Sequence, residues 1–153
     1  MLDEMDRKLL ALLQADGRLT NAELAERVAL SQSACHRRVK RPEELGVIAG
    51  YAARVDRRKI GLNVMAYVFV KLDSHAEELT TAFARAVDKM DEVIACHAVA
   101  GVADYVLVVV ADNVDAFADV ALKKILRLPG VKDSTSNFVL ATLKQGAAWP
   151  MTH

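Results

Sequence analysis

The sequence predicts an α+β fold in two parts: a winged helix-turn-helix over residues 1–61 and a ferredoxin-like βαββαβ domain over 62–153. Three observations lead there. Apolar residues recur at helical spacing in three short segments before Gly46. After residue 62 the pattern changes to apolar runs of strand length. Two amphipathic segments then interrupt those runs in the order strand, helix, strand, strand, helix, strand.

The first helix is expected over 3–14, where Met5, Leu9, Leu12 and Leu13 form one stripe. Asp3, Glu4 and Asp6 fall in its first turn, where the helix dipole favours anions, and Asp16-Gly17 ends it. Thr20-Asn21-Ala22-Glu23 reads as a capping box and starts the second helix, which buries Leu24, Ala25 and Val28. Leu30-Ser31 makes a turn, with Ser31 as N-cap of a third helix that continues through Arg41 towards Leu45 and stops at Gly46. Pro42 interrupts that pattern. It lacks the N–H and clashes with the preceding turn, at a cost of about 3 kcal/mol, and it biases Arg41 away from helical geometry. Either the helix ends near Lys40 and a new turn begins with Pro42 at its first position, or the helix is kinked. In residues 47–59, Gly50 lies among β-branched and aromatic residues, which predicts a short extended pair, the wing, with a linker strand at 60–62.

In the second part, strands are expected over 63–72, 93–100, 104–111 and 131–143. Helices are expected over 77–90, carrying Leu79, Phe83, Ala86, Val87 and Met90, and over 114–128, closed by Pro129-Gly130. The stretches 64–70 and 106–110 are apolar on both faces. Two helices cover only one face of a four-stranded sheet, so the other face needs a partner. A second copy of the same sheet is the simplest one; the alternative is the linker or wing folding back.

The formal net charge is zero, but residues 1–61 hold 12 Lys+Arg against 9 Asp+Glu, and residues 62–153 hold 8 against 11. A basic bias of this size suits phosphate contact without proving it. No apolar run reaches the roughly 18 residues needed to span a bilayer, and the acidic start Met1-Leu2-Asp3-Glu4 does not read as a signal peptide, so the expected compartment is the cytoplasm. Cys35 and Cys96 lie far apart without metal-ligand spacing and read as packed thiols. His36, His75, His97 and His153 are scattered, with no acid or nucleophile at suggestive spacing. There is no phosphate-binding glycine loop either, so an enzyme is not expected, and no metal or cofactor is called for.

Gln32, Ser33, His36, Arg37 and Lys40 share one face of the third helix, with two cations, three hydrogen-bonding groups and no acid. The N-terminal part of a recognition helix meets base edges; Gln pairs with adenine and Arg with guanine. Arg38 and Arg41, turned to the side, suit phosphates. On spacing alone, a solvated helix face is the equal alternative. In the second part, the loop Gly101-Val102-Ala103-Asp104 is the best ligand candidate. Its amides suit a carboxylate and Asp104 an ammonium group, while Ser134, Thr135 and Ser136 offer hydroxyls from a neighbouring strand. The plainer reading is a hairpin turn beside a polar strand edge, with His97 packed or on the surface.

The runs Asp6-Arg7-Lys8-Leu9-Leu10, Asp16-Gly17-Arg18, Glu23-Leu24-Ala25, Leu30-Ser31, Arg37-Arg38-Val39 and Glu44-Leu45-Gly46-Val47-Ile48 occur in order. With Gly101-Val102-Ala103-Asp104-Tyr105 and Thr135-Ser136, they make the chain resemble the leucine-responsive (Lrp/AsnC) family of regulators. The resemblance implies a winged helix-turn-helix that binds double-stranded DNA on the nucleoid. It also implies a βαββαβ domain that dimerises, assembles further, often to an octamer, and senses an amino acid between subunits. Tyr105 joins the effector candidates on that ground. The family usually carries Leu where this chain has Pro42.

Overall fold

The computed structural model describes residues 2–146 and 148–151. Its contacts divide the chain into two units, Met1–Arg54 with Leu143–His153, and Val55–Thr142.

The first unit holds α1 (Glu4–Ala15), α2 (Asn21–Arg27) and α3 (Gln32–Glu44). Each start is fixed by the chemistry its sequence announces. Asp3 and Asp6 form a reciprocal capping box on α1, and Thr20 and Glu23 form one on α2. The Ser31 hydroxyl accepts from the Ala34 N–H at 3.3 Å. Leu9, Leu24, Ala25 and Cys35 are the buried centre, with Leu12, Leu13, Leu19, Val28, Leu30 and Val39 around them. Burial pushes the Cys35 thiol above its ordinary pKa, as suits a packed, unreactive group.

Helix α3 runs through Pro42, so the expected break at Lys40 does not occur and Arg41 keeps helical geometry. The reason lies at its C-terminus. Pro42 is buried, and its carbonyl accepts from Val47 N–H at 2.9 Å, while Gly46 N–H donates to Glu43 O at 3.1 Å. This is a Schellman ending, with Gly46 at φ +68°. Pro42 is thus only three residues from the C-cap Leu45, and the bond it forfeits is a single one near the end of the helix.

The wing is absent, and so is the linker strand. Residues 49–56 carry no strand, and a 3₁₀ turn occupies Arg57–Ile60, ended by Gly61. Tyr51 anchors the segment instead, donating its hydroxyl to Glu43 Oε1 at 2.8 Å. Burial and that carboxylate push the Tyr51 phenol up to about 12. With one residue so committed and its neighbours exposed, the β-branched residues here have no second strand to pair with.

The second unit is built on β1 (Val64–Leu72), α4 (Glu77–Val87), β2 (Val93–Ala98), β3 (Tyr105–Ala111), α5 (Val114–Asp119) and β4 (Val131–Phe138). The antiparallel sheet has the order β2-β3-β1-β4, the ferredoxin-like arrangement the sequence predicts. The helical run after Asn113 changes pitch rather than continuing as one α-helix: a π segment spans Val120–Lys124 and a 3₁₀ turn Ile125–Arg127. Strand β4 stops at Phe138, short of the expected 143. Its last rung is Val139 N–H to Met65 O at 2.9 Å, and β1, its neighbour among the described residues, begins one residue earlier at Val64.

Ala66, Val68, Val70 and Leu72 of β1 face the helices and pack with Leu107, Val109, Phe83, Phe117, Val120 and Ile125. The residues between them, Tyr67 and Phe69, point the other way and are 42% and 36% exposed. They lie opposite Val108 and Val106 of β3. The described residues therefore leave an apolar sheet face without cover.

Candidate nucleic-acid interface and effector cleft

Helix α3 has two sides. Cys35 and Pro42 are buried at i and i+7, and Arg38 lies between them at i+3. Gln32, Ser33, His36, Arg37, Lys40 and Arg41 are exposed on the remaining surface. Asn21 Nδ2 donates to the Gln32 carbonyl at 2.8 Å and so ties the start of α3 to the start of α2. The Ser33 hydroxyl lies 3.3 Å from that of Ser31. Lys40 reaches Glu44 at 3.4 Å, an exposed i,i+4 pair contributing about 0.3–0.5 kcal/mol, too little to withhold it from a phosphate. No side-chain hydrogen bond or ion pair engages Gln32, His36, Arg37 or Arg41 among the described residues.

Arg38 does not share this freedom, and its expected phosphate role is corrected. Its Nη1 donates to Asp3 Oδ2 at 2.6 Å and to Asp6 Oδ1 at 2.7 Å. Asp6 is buried, so its charge needs that partner. The guanidinium beside Asp3 also holds the Asp3 carboxyl below its usual range. Arg38 fastens α3 to α1 and thereby sets the angle at which the exposed face is presented.

The effector candidates divide by strand parity. A cleft of roughly 270 Å³ is lined by Phe69, Lys71, Val102, Ala103, Asp133, Thr135 and Asn137. This is small for a ligand pocket but of amino-acid scale. Of the expected residues, Val102, Ala103 and Thr135 are there; Gly101 is exposed in the turn but outside the lining. Ser134 and Ser136 lie opposite Val70 and Val68, on the helix-facing side of the sheet. Tyr105 lies opposite Val70 and stacks on Phe83, ring centroids 4.6 Å apart, so it too faces the helices. Asp104 is already engaged: Oδ2 accepts from Leu72 N–H at 2.8 Å and Oδ1 contacts His75 Nε2 at 2.9 Å. The Leu72 amide first, then His75, hold its carboxyl below its usual range. Asp104 thus fixes the loop to the end of β1 instead of offering itself to an ammonium group. His97 is exposed on β2 and does not line the cleft.

Phe69, Lys71, Asp133 and Asn137 were not among the expected residues. For Asp133 and Asn137 a signal existed: they flank Thr135 at i±2 and so share its face. Among the described residues, no group of three or more His, Cys, Asp or Glu could hold a metal ion, and no helix is long and apolar enough to cross a membrane.

Two family models match this chain: the AsnC-type helix-turn-helix domain over residues 2–41 and the Lrp/AsnC ligand binding domain over 65–149. The leucine-responsive regulatory protein of Escherichia coli K12 is 37% identical over 144 residues, covering 94% of this chain and 88% of that protein. A transcriptional regulator of Neisseria meningitidis, solved in complex with L-Met, superposes with a TM-score of 0.95 at 39% identity, covering 100% of this chain and 99% of that one. An AsnC family transcriptional regulator from Agrobacterium tumefaciens does so with a TM-score of 0.92 at 32% identity, covering 98% and 97%.

Proposed function

The chain belongs to the Lrp/AsnC family of transcriptional regulators, and from that premise we propose how it works: it reads DNA as at least a dimer and takes an amino acid in the cleft at the sheet's end. It is a DNA-binding regulator with a ligand-binding domain, in a family of regulators and not of enzymes. The observation that carries the reading is the exposed face of α3. Gln32, Ser33, His36 and Arg37 meet base edges, and Lys40 and Arg41 meet phosphates.

A second copy covers the Tyr67, Val106 and Val108 part of that face and leaves the cleft at Phe69 and Lys71 open to a ligand; it doubles the reading head and calls for two half-sites about one helical turn apart. Such dimers assemble further, to an octamer, in the cytoplasm. The effector is a small amino acid, a reading supported by the scale of the cleft and by the L-Met held by the Neisseria relative. It acts by binding one assembly state better than another. No cofactor enters this scheme.

Fluorescence anisotropy of a labelled duplex across a salt series tests the DNA reading. Affinity should fall steeply with salt, and Arg37→Ala should weaken binding and flatten the slope by up to about one ion or relax base preference. An Arg37→Ala protein with unchanged affinity, slope and preference would remove Arg37 from the interface. Calorimetric titration with the twenty amino acids tests sensing: heat with at least one is expected, and none with any would end the effector reading.

A further inference from the structure

We propose that Lys71 and Asp133 form a two-point clamp for a zwitterion, so that the cleft takes free α-amino acids with an apolar side chain and discriminates against derivatives blocked at either end. This rests on the effector reading above. The two residues lie directly opposite each other across the β1–β4 ladder, and both line the cleft. Their charges are opposite, yet neither an ion pair nor a hydrogen bond joins them among the described residues. Among the described residues Asp133 Oδ1 accepts only from the neighbouring Ser134 N–H, at 2.8 Å, and Lys71 has no side-chain bond.

Two opposite charges on one concavity, not paired with each other, suit a ligand with its own opposed charges. The ligand carboxylate takes Lys71 and its ammonium group takes Asp133. Asp104 is the other acid beside Lys71, but its oxygens are held by Leu72 N–H and His75, so Asp133 is the carboxylate left for an ammonium group. The rest of the wall suits an apolar side chain: Phe69 lines it, and Val102, also in the lining, is 85% exposed. Thr135 and Asn137 add hydrogen-bonding groups along β4.

The test is calorimetry on the full chain with L-methionine, L-methioninamide, which lacks the carboxylate, and N-acetyl-L-methionine, which lacks the ammonium group. Wild-type protein should bind each analogue at least about tenfold more weakly than L-methionine, as loss of a charge-assisted contact implies. Lys71→Met should weaken L-methionine at least about tenfold yet leave the amide within about twofold. Asp133→Asn should do the same with the acetylated analogue as the insensitive ligand. Both side chains are exposed, and the analogue series on wild-type protein decides the matter even if a variant folds poorly. The clamp is overturned, with the effector reading intact, if both analogues bind wild type as tightly as L-methionine or both variants bind L-methionine within twofold. If L-methionine gives no heat, the series is run on whichever of the twenty amino acids does; binding by none overturns clamp and effector reading together.

Discussion

Arg37 and Arg38 are neighbours in sequence and opposite in circumstance. Arg37 projects from the exposed side of α3, whereas Arg38 sits between buried Cys35 and Pro42 and bonds to Asp3 and Asp6. The difference decides what each substitution does. Asp6→Ala removes a buried carboxylate that Arg38 satisfies and should lower unfolding stability by about 2 kcal/mol, read as a lower urea midpoint. Arg38→Ala should move the midpoint the same way, while Arg37→Ala should leave it unchanged and act only on DNA. This placement was legible: position 38 follows Cys35 by three residues on the helix, and acids wait in the first turn of α1. Helix spacing alone turns Arg38 to the side, as suits a phosphate contact, without pairing it to those acids. Acid behaviour follows from the same scale. The Asp3 and Asp104 carboxyls are both held below their ordinary values, so they bind protons more readily in the unfolded chain. Their contribution is fully present above the unfolded pKa of about 4 and is lost as pH falls through the lower folded values. Asp104→Asn should therefore flatten the acid limb of a stability–pH curve measured below about pH 4; an unchanged limb would contradict the role given to Leu72 N–H and His75.

Helix starts were legible because a capping box is a local device, complete within four residues. Thr20 with Glu23 needed no tertiary information, and the structure has it as written. The wing was not legible, because a strand exists only with a partner, and whether Val47 to Val55 finds one depends on chain outside the segment. It finds Pro42 and Glu43 instead. Strand β4 teaches the complementary lesson. Its polar run reads as one cluster of hydroxyls, yet period 2 sends Ser134 and Ser136 to the helices and Thr135 to the cleft. That alternation was available in the sequence; the pairing of Asp133 with Lys71, 62 residues apart in the chain, was not, because register across β1 and β4 is set by packing. The turn before β4 carries its own prediction. Gly130 has φ +73°, and a Cβ there would fall inside contact of the Leu79 side chain, 2.6 Å from its Cγ. Gly130→Ala should cost about 2 kcal/mol in chemical unfolding, part of which Leu79→Ala should restore in the double variant; full tolerance of the alanine would contradict the packing of α4 on this turn.

Across the whole molecule, the uncovered face of the sheet and the reading helix make one argument. A monomer would expose Tyr67 and Phe69 beside Val106 and Val108 to water, and a single α3 reads only a few base pairs. A second copy, as proposed, would meet both needs. Val108→Lys places a charge on that face and should reduce the assembly to monomers in light scattering after size exclusion, with loss of tight DNA binding; assembly unchanged by this substitution would mean that the copies meet elsewhere. The two-domain order was legible from periodicity alone, since the change from helical to strand spacing near residue 62 needs no register. The central claim is that this regulator reads sequence through the exposed face of α3. Selection from random duplex DNA tests it most directly, with wild-type and Gln32→Ala proteins selected in parallel. Wild-type protein should select two inverted half-sites about one helical turn apart, and Gln32→Ala should lose preference at one position in each half-site. No enrichment by the wild type, or the same consensus from both proteins, would contradict it.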